Sequence, residues 1–222
     1  MRLLDITGPL YNGLWSCGEP FPELCIRPMK QPEWVETPVW MEVFEGMHSQ
    51  TGTYLETPAH FLGYEKSYPL TDVKPEDLYE RQAVVLQVRP EDNGDRPPVT
   101  KEMLERAADG LTIPEGAALL VSTGWGKHWR LDDYLTRAPY FTRDAMQWLI
   151  GQKPFLLSSD MPRWENLENP QGFFPDFYAA DILMLAPTVR LEEIDRPYVR
   201  LTVLPLYAEG TCCCPCRAVV IL

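Results

Sequence analysis

The segment SQTGTYLETPAHF, residues 49–61, alternates between two classes of side chain. In a strand, alternate side chains share one face. One face of this segment carries its polar and proton-handling groups: Gln50, Gly52, Tyr54, Glu56, Pro58 and His60. The other face carries β-branched or apolar side chains: Thr51, Thr53, Leu55, Thr57, Ala59 and Phe61. The second set is suited to a core. The pattern predicts a strand that packs by one face and presents a functional site on the other.

Glu56 and His60 are the candidate acid–base pair of this segment. On a regular strand they would lie roughly 13 Å apart. Pro58 bends the chain between them, and a turn there could bring them together. Because His and Glu are the usual general bases, and Tyr54 and Gln50 add hydrogen-bonding groups, we predict these four residues as catalytic. The alternative is a structural His60 beside a solvated Glu56.

The rest of the chain predicts an α/β fold with a mixed sheet. The predicted strands are residues 39–44, 83–88, 117–122, 155–158, 199–206 and 218–222. The predicted helices are residues 100–109, capped by Thr100, and residues 143–150, capped by Thr142 and ended by Gly151. Residues 179–186 begin as helix or turn and pass into a strand. Residues 64–78 and 89–98 read as loops. Strands outnumber helices and alternate with some of them, which favours this class.

Composition limits the class of protein. The chain has 222 residues, of which 45% are hydrophobic and 23% charged, which favours one domain spanning residues 1–222. The first 45 residues are irregular and proline-rich, and we expect them at a subunit interface or as a lid. A net charge of −12 without a basic block argues against nucleic acid. No apolar run approaches the roughly 20 residues of a membrane span, and MRLLDITGPL lacks a signal-peptide core, so a cytoplasmic protein is expected.

Loops that follow predicted strands carry the candidate substrate-binding residues. Asp160, Arg163 and Trp164 follow one strand, at the position where α/β sheets usually bind ligands. Arg163 could hold a carboxylate by two parallel hydrogen bonds, or it could belong to a surface ion-pair cluster. Trp125 follows another strand and Trp15 lies in the irregular N-terminal region. Both would wall an aromatic pocket for a small-molecule substrate, or simply pack.

The cysteine run at residues 212–216 is open to three interpretations. Cys213 and Cys216 form a CxxC, which is typical of redox sites or of half a zinc site. Cys17 and Cys25 do not supply a second CxxC, and the run precedes a strand instead of opening a helix. Buried structural thiols are therefore the favoured interpretation.

These features together resemble the cyclase family that includes bacterial kynurenine formamidase and isatin hydrolase. The resemblance spans nearly the whole chain: LDIT near the start, TGT-x4-P-x-HF, TGW-x-KHW after a strand, an aspartate after the next strand, and LPL…RAVVIL at the end. It implies a swivelling β/β/α-type fold. It also implies a homodimer or homotetramer that hydrolyses amide or cyclic amide bonds with one or two divalent metals.

The metal motif of that family, H-x-G-T-H-x-D-x-P-x-H-F, is altered here. Its histidine positions hold Gln50 and Tyr54, and its aspartate position holds Glu56. The remaining ligand positions fall on Phe174 and Ala186. The positions that match are Gly52, Thr53, Pro58, His60 and Phe61. The chain has three histidines in all, whereas zinc sites use three or four His, Cys or carboxylate ligands.

The resemblance assigns proton transfer to His60, which is retained. We therefore predict acid–base chemistry without metal, on a small aromatic or carboxylate-bearing substrate. Glu56 would act as base or orient His60, while Tyr54 and Gln50 would stabilise an oxyanion. One alternative is a metal-dependent formamidase-like hydrolase, with zinc or manganese on altered ligands such as Gln50, Glu56 and Asp160. Another is a non-catalytic protein that binds a small ligand.

Overall fold

The fold is built around one large mixed sheet. The computed structural model describes residues 2–91 and 96–222, and the predicted loop at residues 89–98 lies partly outside them. Among the described residues, eight strands form this sheet in the order β1-β12-β11-β5-β7-β9-β10-β4. These strands are β1 Leu3–Asp5, β4 Tyr54–Glu56, β5 Arg81–Gln87, β7 Ala118–Ser122, β9 Leu156–Ser159, β10 Leu183–Ala186, β11 Tyr198–Pro205 and β12 Cys213–Ile221.

Shorter elements surround this sheet. The remaining strands form two small pairs: β2 Cys25–Pro28 with β3 Glu42–Glu45, and β6 Pro98–Val99 with β8 Tyr140–Phe141. The α-helices are α1 Ala59–Leu62, α2 Pro75–Leu78, α3 Lys101–Ala107, α4 Arg143–Gly151 and α5 Phe174–Ala179. The 3-10 turns are Leu70–Asp72, Trp125–His128 and Leu191–Glu193.

β12 closes the sheet into a barrel-like arrangement, because it pairs with β4 as well as with β11. β5, β7, β9 and β10 run parallel to one another, while β1, β4, β11 and β12 pair antiparallel with their neighbours. The parallel strands are almost entirely buried, as expected for strands covered on both faces. This confirms the predicted α/β fold with a mixed sheet.

Two apolar clusters lie on the two faces of this sheet. The inner cluster includes Leu55, Leu120 and Leu185. The outer cluster includes Leu119 and Phe177, and it is covered by α3, α4 and α5. Residues at alternating positions of the same strand therefore enter different clusters, which is the strand periodicity of two.

Local capping signals define the two predicted helices. The hydroxyls of Thr100 and Thr142 accept hydrogen bonds from the backbone N–H groups of Met103 and Ala145 at 3.4 Å. These contacts satisfy donors that the first helical turn leaves unpaired. Both predicted helices and both caps are confirmed.

Several predicted boundaries are wrong. Residues 49–61 do not form one strand: β4 spans only Tyr54–Glu56, and α1 follows Pro58. The strand predicted at residues 218–222 begins at Cys213, because the cysteine run pairs with β4. The strand predicted at residues 39–44 is Glu42–Glu45, paired with β2. Residues 64–78, predicted as loop, contain the turn Leu70–Asp72 and α2.

The N-terminal segment packs on the 3-10 turn Trp125–His128. Its residues Leu14 and Leu24 share a third buried cluster with Trp125, Trp129 and Tyr134. The β2–β3 hairpin that follows leaves apolar side chains exposed between its strands. The expected place of the N-terminal segment at a subunit interface or as a lid stays a prediction. In the described ranges, no helix has the length and apolar character needed to cross a membrane.

Candidate active site

The predicted catalytic segment lies on the outer face of the barrel, at β4. Tyr54 and Glu56 are two residues apart and therefore share a face, while Leu55 between them enters the inner cluster. β4 pairs with β10 and β12, in a register that sets Ala186 opposite Tyr54 and Cys213 opposite Glu56. These pairings on both sides fix the direction in which the two side chains project.

The bend at Pro58 brings the acid–base pair together. Pro58 has helical backbone angles, φ −58° and ψ −16°, and precedes α1. His60 consequently folds back, and its Nδ1 lies 3.6 Å from Glu56 Oε2. The Glu56 side chain is 1% exposed, whereas that of His60 is 41% exposed. The predicted turn is confirmed, and the alternative of a solvated Glu56 is wrong.

The Glu56 carboxylate accepts hydrogen bonds from two protein side chains. The hydroxyl of Tyr178, on α5, donates to Oε1 at 2.5 Å, and the side-chain amide of Gln50 donates to Oε2 at 3.0 Å. Burial raises the pKa of Glu56, while the charge of His60 and these two hydrogen bonds oppose the rise. The carboxyl group is therefore desolvated but held in one orientation, with one oxygen facing His60.

Tyr178 is a site residue that the sequence analysis missed. It is buried, stacks against Phe61 with ring centroids 5.5 Å apart, and touches Glu56 across 122 positions of sequence. Burial and the charge of Glu56 raise its pKa, so its hydroxyl keeps the proton that it donates. No local pattern marks a contact of this sequence separation. The position of Glu56 beside Tyr178 could be inferred only from the fold.

Tyr54 lies between two cavities. Burial, followed by the charge of Glu56, raises the pKa of Tyr54 well above its ordinary value, so the phenol remains an O–H donor. Tyr54 and Pro162 line both cavities. A ligand in either cavity would therefore contact the same tyrosine.

The first cavity, here called the N-terminal cavity, has a volume of about 110 Å³. It joins the N-terminal segment to the catalytic segment, and its lining includes Trp15, Cys17, His48, Gln50 and Tyr54. His48, which the sequence analysis did not select, accepts a hydrogen bond at Nδ1 from the Gln50 backbone at 3.3 Å. Burial lowers its pKa, which favours the neutral imidazole.

The second cavity, here called the Arg163 cavity, has a volume of about 180 Å³. It lies between the outer face of the sheet and the loop after β9. It is lined by Tyr54, Pro162, Arg163, Trp164, Glu165, Leu167, Phe174, Met184 and Ala186. Three predicted site residues, Tyr54, Arg163 and Trp164, thus meet here, and Trp15 contributes to the other cavity.

Asp160 and Trp125 lie apart from both linings. Asp160 is fully buried and accepts hydrogen bonds from Thr123 N at 2.9 Å, Thr123 Oγ1 at 2.6 Å and Gly126 N at 3.3 Å. Burial raises its pKa and these hydrogen bonds oppose the rise. Trp125 donates to the Tyr134 carbonyl at 3.0 Å and stacks on His128. Both residues hold the turn after β7, and their predicted substrate contact stays a prediction.

The cysteine run contributes buried thiols. Cys213, Cys214 and Cys216 are buried, and burial raises the pKa of Cys213 and of Cys216. Cys213 donates to the Ser49 carbonyl at 3.1 Å, which ties the run to the start of the catalytic segment. A thiol with a raised pKa is a poor nucleophile and a poor metal ligand, which favours the structural interpretation.

The site does not fit the divalent metal that the motif implies. Among the altered motif positions, Glu56 offers the one carboxylate, Gln50 offers only an amide, and the raised pKa of Tyr54 keeps its phenol protonated. Phe174 and Ala186, assigned to the remaining ligand positions, do share one cavity with Tyr54, but neither offers a ligand atom in its side chain. Within residues 2–91 and 96–222, no group of three or more His, Cys, Asp or Glu side chains is placed to hold an ion.

The protein is of the α/β class, with a barrel-like mixed sheet that carries an acidic, histidine-bearing segment on its outer face. The family model described as Cyclase matches residues 4–166. The chain belongs to this family, and the predicted resemblance is confirmed. Among curated proteins, none matches the chain.

Solved structures share the fold over nearly the whole chain. Isatin hydrolase A from Labrenzia aggregata, bound to benzyl benzoate, has a TM-score of 0.80 at 19% identity, covering 99% of this chain and 93% of that one. An isatin hydrolase bound to the product analogue thioisatinate has a TM-score of 0.82 at 18% identity, covering 100% and 92%. A potential metal-dependent hydrolase with cyclase activity has a TM-score of 0.73 at 17% identity, covering 99% and 96%. At these identities the likeness concerns the fold.

Proposed function

We propose that the chain is a Cyclase-family enzyme that performs acid–base chemistry with His60 and Glu56 and does not use the divalent metal. The observation that carries this proposal is the Glu56 carboxylate. It is buried, both of its oxygens accept hydrogen bonds from protein donors, and one of them faces His60 at 3.6 Å. An orienting carboxylate has this environment, since its hydrogen bonds fix its position while one oxygen faces the imidazole.

His60 would be the proton-transfer residue. Its Nδ1 faces Glu56 and its side chain is partly exposed, so the far side of the ring is the side available to a substrate. Glu56 would be a positioning residue that holds the imidazole in place, as the aspartate of a catalytic triad does.

For amide hydrolysis, the chemistry of these residues balances with water as the only co-reactant. Water attacks the carbonyl carbon while His60 takes one of its protons, and the carbonyl electron pair moves to oxygen. The oxyanion would accept hydrogen bonds from the Tyr54 hydroxyl and the Gln50 side-chain amide, each worth about 3 kcal/mol. The carbon–nitrogen bond then breaks and the nitrogen leaves with the proton held by His60. The same pair serves ring closure or dehydration.

The substrate would be a small aromatic or carboxylate-bearing molecule. The combined lining of the two cavities is aromatic, with Trp15, Tyr54, Trp164 and Phe174. The predicted homodimer or homotetramer and the cytoplasmic location remain part of this proposal.

Turnover of an N-formyl aromatic amide and of isatin, each with and without chelator, tests the proposal. We expect activity that survives chelation and falls at least 100-fold in His60→Ala and Glu56→Gln. Glu193→Gln is the matched control, because Glu193 is an exposed carboxylate paired with Arg190. Full activity in His60→Ala would contradict the acid–base assignment. Activity abolished by chelator would favour a metal-dependent hydrolase, and ligand binding without turnover of either compound would favour a binding protein.

A further inference from the structure

Arg163 lines its cavity without a partner among the residues that the structure describes. Within the described ranges, it has no hydrogen-bond acceptor and no carboxylate within ion-pair distance. Most other cations of this protein are engaged. For example, Arg143 pairs with Asp176 and Arg27 with Glu45. A half-buried guanidinium in a largely apolar lining is available to pair with an anion that enters the cavity.

A second cation, Arg96, lies near Arg163 in a protein whose net charge is −12. Arg96 is close enough that the positive charge of Arg163 lowers its pKa, after burial, which is the larger cause. The guanidinium of Arg96 donates to the carbonyls of Ala138 at 3.1 Å and Glu165 at 3.3 Å. These hydrogen bonds hold it in its position near Arg163. The exposed carboxylate of Glu168 raises the pKa of Arg96, but by less than Arg163 lowers it.

The nearest acidic side chain in the lining, Glu165, is committed elsewhere. Its Oε1 accepts hydrogen bonds from the backbone N–H groups of Gly172 and Phe173, the latter at 3.2 Å. It therefore holds the start of α5 and makes no ion pair with Arg163. Two like charges next to an apolar cavity are stabilised best by an anion that enters the cavity.

A second unpaired donor borders the same cavity. Trp164 is 3% exposed, and its indole N–H finds no acceptor within the described part of the chain. Buried indole N–H groups usually have an acceptor. The cavity therefore offers a charged donor and is bordered by an unpaired neutral donor, while its remaining walls are the apolar side chains of Leu167, Phe174 and Met184.

We propose that the Arg163 cavity binds the carboxylate end of a single-ring aromatic or similarly unsaturated acid. Arg163 would hold the carboxylate by two parallel hydrogen bonds, and Phe174, Trp164 and Tyr54 would contact the ring. A cavity of about 180 Å³ is smaller than those that hold drug-sized ligands, which fits one ring and not two. This inference rests on the proposed function only for the further step that the bound acid is a substrate.

Binding of benzoate, with benzamide as the neutral isostere, tests the inference by calorimetry and by tryptophan fluorescence. We expect benzoate to bind at least tenfold more tightly than benzamide. Arg163→Gln is expected to weaken benzoate binding roughly 10- to 100-fold and to leave benzamide unchanged. Arg163→Lys keeps the positive charge but cannot form two parallel hydrogen bonds with the carboxylate. Its affinity for benzoate should therefore fall between those of the unmodified protein and Arg163→Gln. Arg200→Gln removes an exposed cation from β11 and is the matched control.

The outcomes separate this inference from the proposed function. Benzoate binding that is equal in Arg163→Gln and in the unmodified protein, or benzamide binding as tight as benzoate, would overturn the carboxylate site. Because no turnover is read, an inactive protein that still binds benzoate through Arg163 would leave the inference intact and count only against the acid–base chemistry. Thermal denaturation of each variant shows whether the folded protein was tested.

Discussion

Glu56 is the residue in which burial, hydrogen bonding and charge meet. Its carboxylate touches Gln50, Tyr178 and His60, three side chains from three parts of the chain. Desolvation is the largest influence on it, so the protonated form is favoured relative to a carboxyl group in water. The unfolded chain does not share this rise in the pKa of Glu56, so the stability of the folded protein depends on pH through this residue.

Glu56 should destabilise the folded protein as pH rises. Its folded pKa lies above the ordinary value of 4.5, so the folded state binds more protons than the unfolded state above that pH. Its contribution to the free energy of unfolding is therefore complete below pH 4.5 and lost as pH rises through the folded pKa. We expect Glu56→Gln, compared with the unmodified protein, to gain relative stability between pH 4.5 and 8 in urea unfolding. A difference that does not change with pH, or that changes in the opposite sense, would contradict the raised pKa.

Tyr178→Phe should cost stability through the same carboxylate. The substitution removes the donor to Glu56 Oε1 and leaves a buried acceptor unpaired, at a cost of about 1–3 kcal/mol in the free energy of unfolding. Tyr64→Phe is the control, because Tyr64 donates to the Gly210 carbonyl from an exposed position. Equal losses in the two variants would mean that the Tyr178–Glu56 hydrogen bond contributes no more to the free energy of unfolding than an exposed one.

At the scale of elements, β4, Pro58 and α1 convert a sequence spacing into a site. A regular strand would hold Glu56 and His60 apart, and the change from strand to helix at Pro58 brings them within 3.6 Å. Proline suits the position because its fixed φ matches the first turn of a helix.

Pro58→Gly should therefore impair activity more than stability. The glycine adds freedom to the unfolded chain, which lowers the free energy of unfolding by about 1 kcal/mol, and it loosens the turn that positions His60. Pro75 is the first residue of α2 and lies away from the site, so Pro75→Gly is the control. We expect similar stability losses from denaturant unfolding and a turnover loss in Pro58→Gly alone. Unchanged turnover in Pro58→Gly would contradict a positioning role for the bend.

At the scale of the whole molecule, β4 closes the barrel by pairing with β10 and β12. Leu55, at its centre, is fully buried in the inner cluster. Leu55→Ala should lower the free energy of unfolding by about 2–5 kcal/mol, because it removes core contacts and leaves a cavity. Leu3→Ala, on the edge strand β1 and 58% exposed, should cost much less. A small loss for Leu55→Ala in urea unfolding would mean that the closure contributes little.

The sequence predicted the features that depend on neighbours along the chain. The buried strands around Leu120 and Leu157 and the caps Thr100 and Thr142 are of this kind, since propensity and capping are local. The bend at Pro58 was foreseen for the same reason. Tyr178 was not, because its contact with Glu56 depends on how α5 crosses β4. The strand at Cys213 was missed because its pairing with β4, and not its composition, makes it a strand.

Metal content measured together with turnover tests most directly whether this site works without an ion. The protein would be produced with added zinc and manganese, desalted, and analysed for metal per chain, and turnover would then be measured with chelator present. We expect metal well below one ion per chain, and turnover that persists under chelation but is lost in His60→Ala. One or two ions per chain, whose removal abolishes turnover, would contradict it.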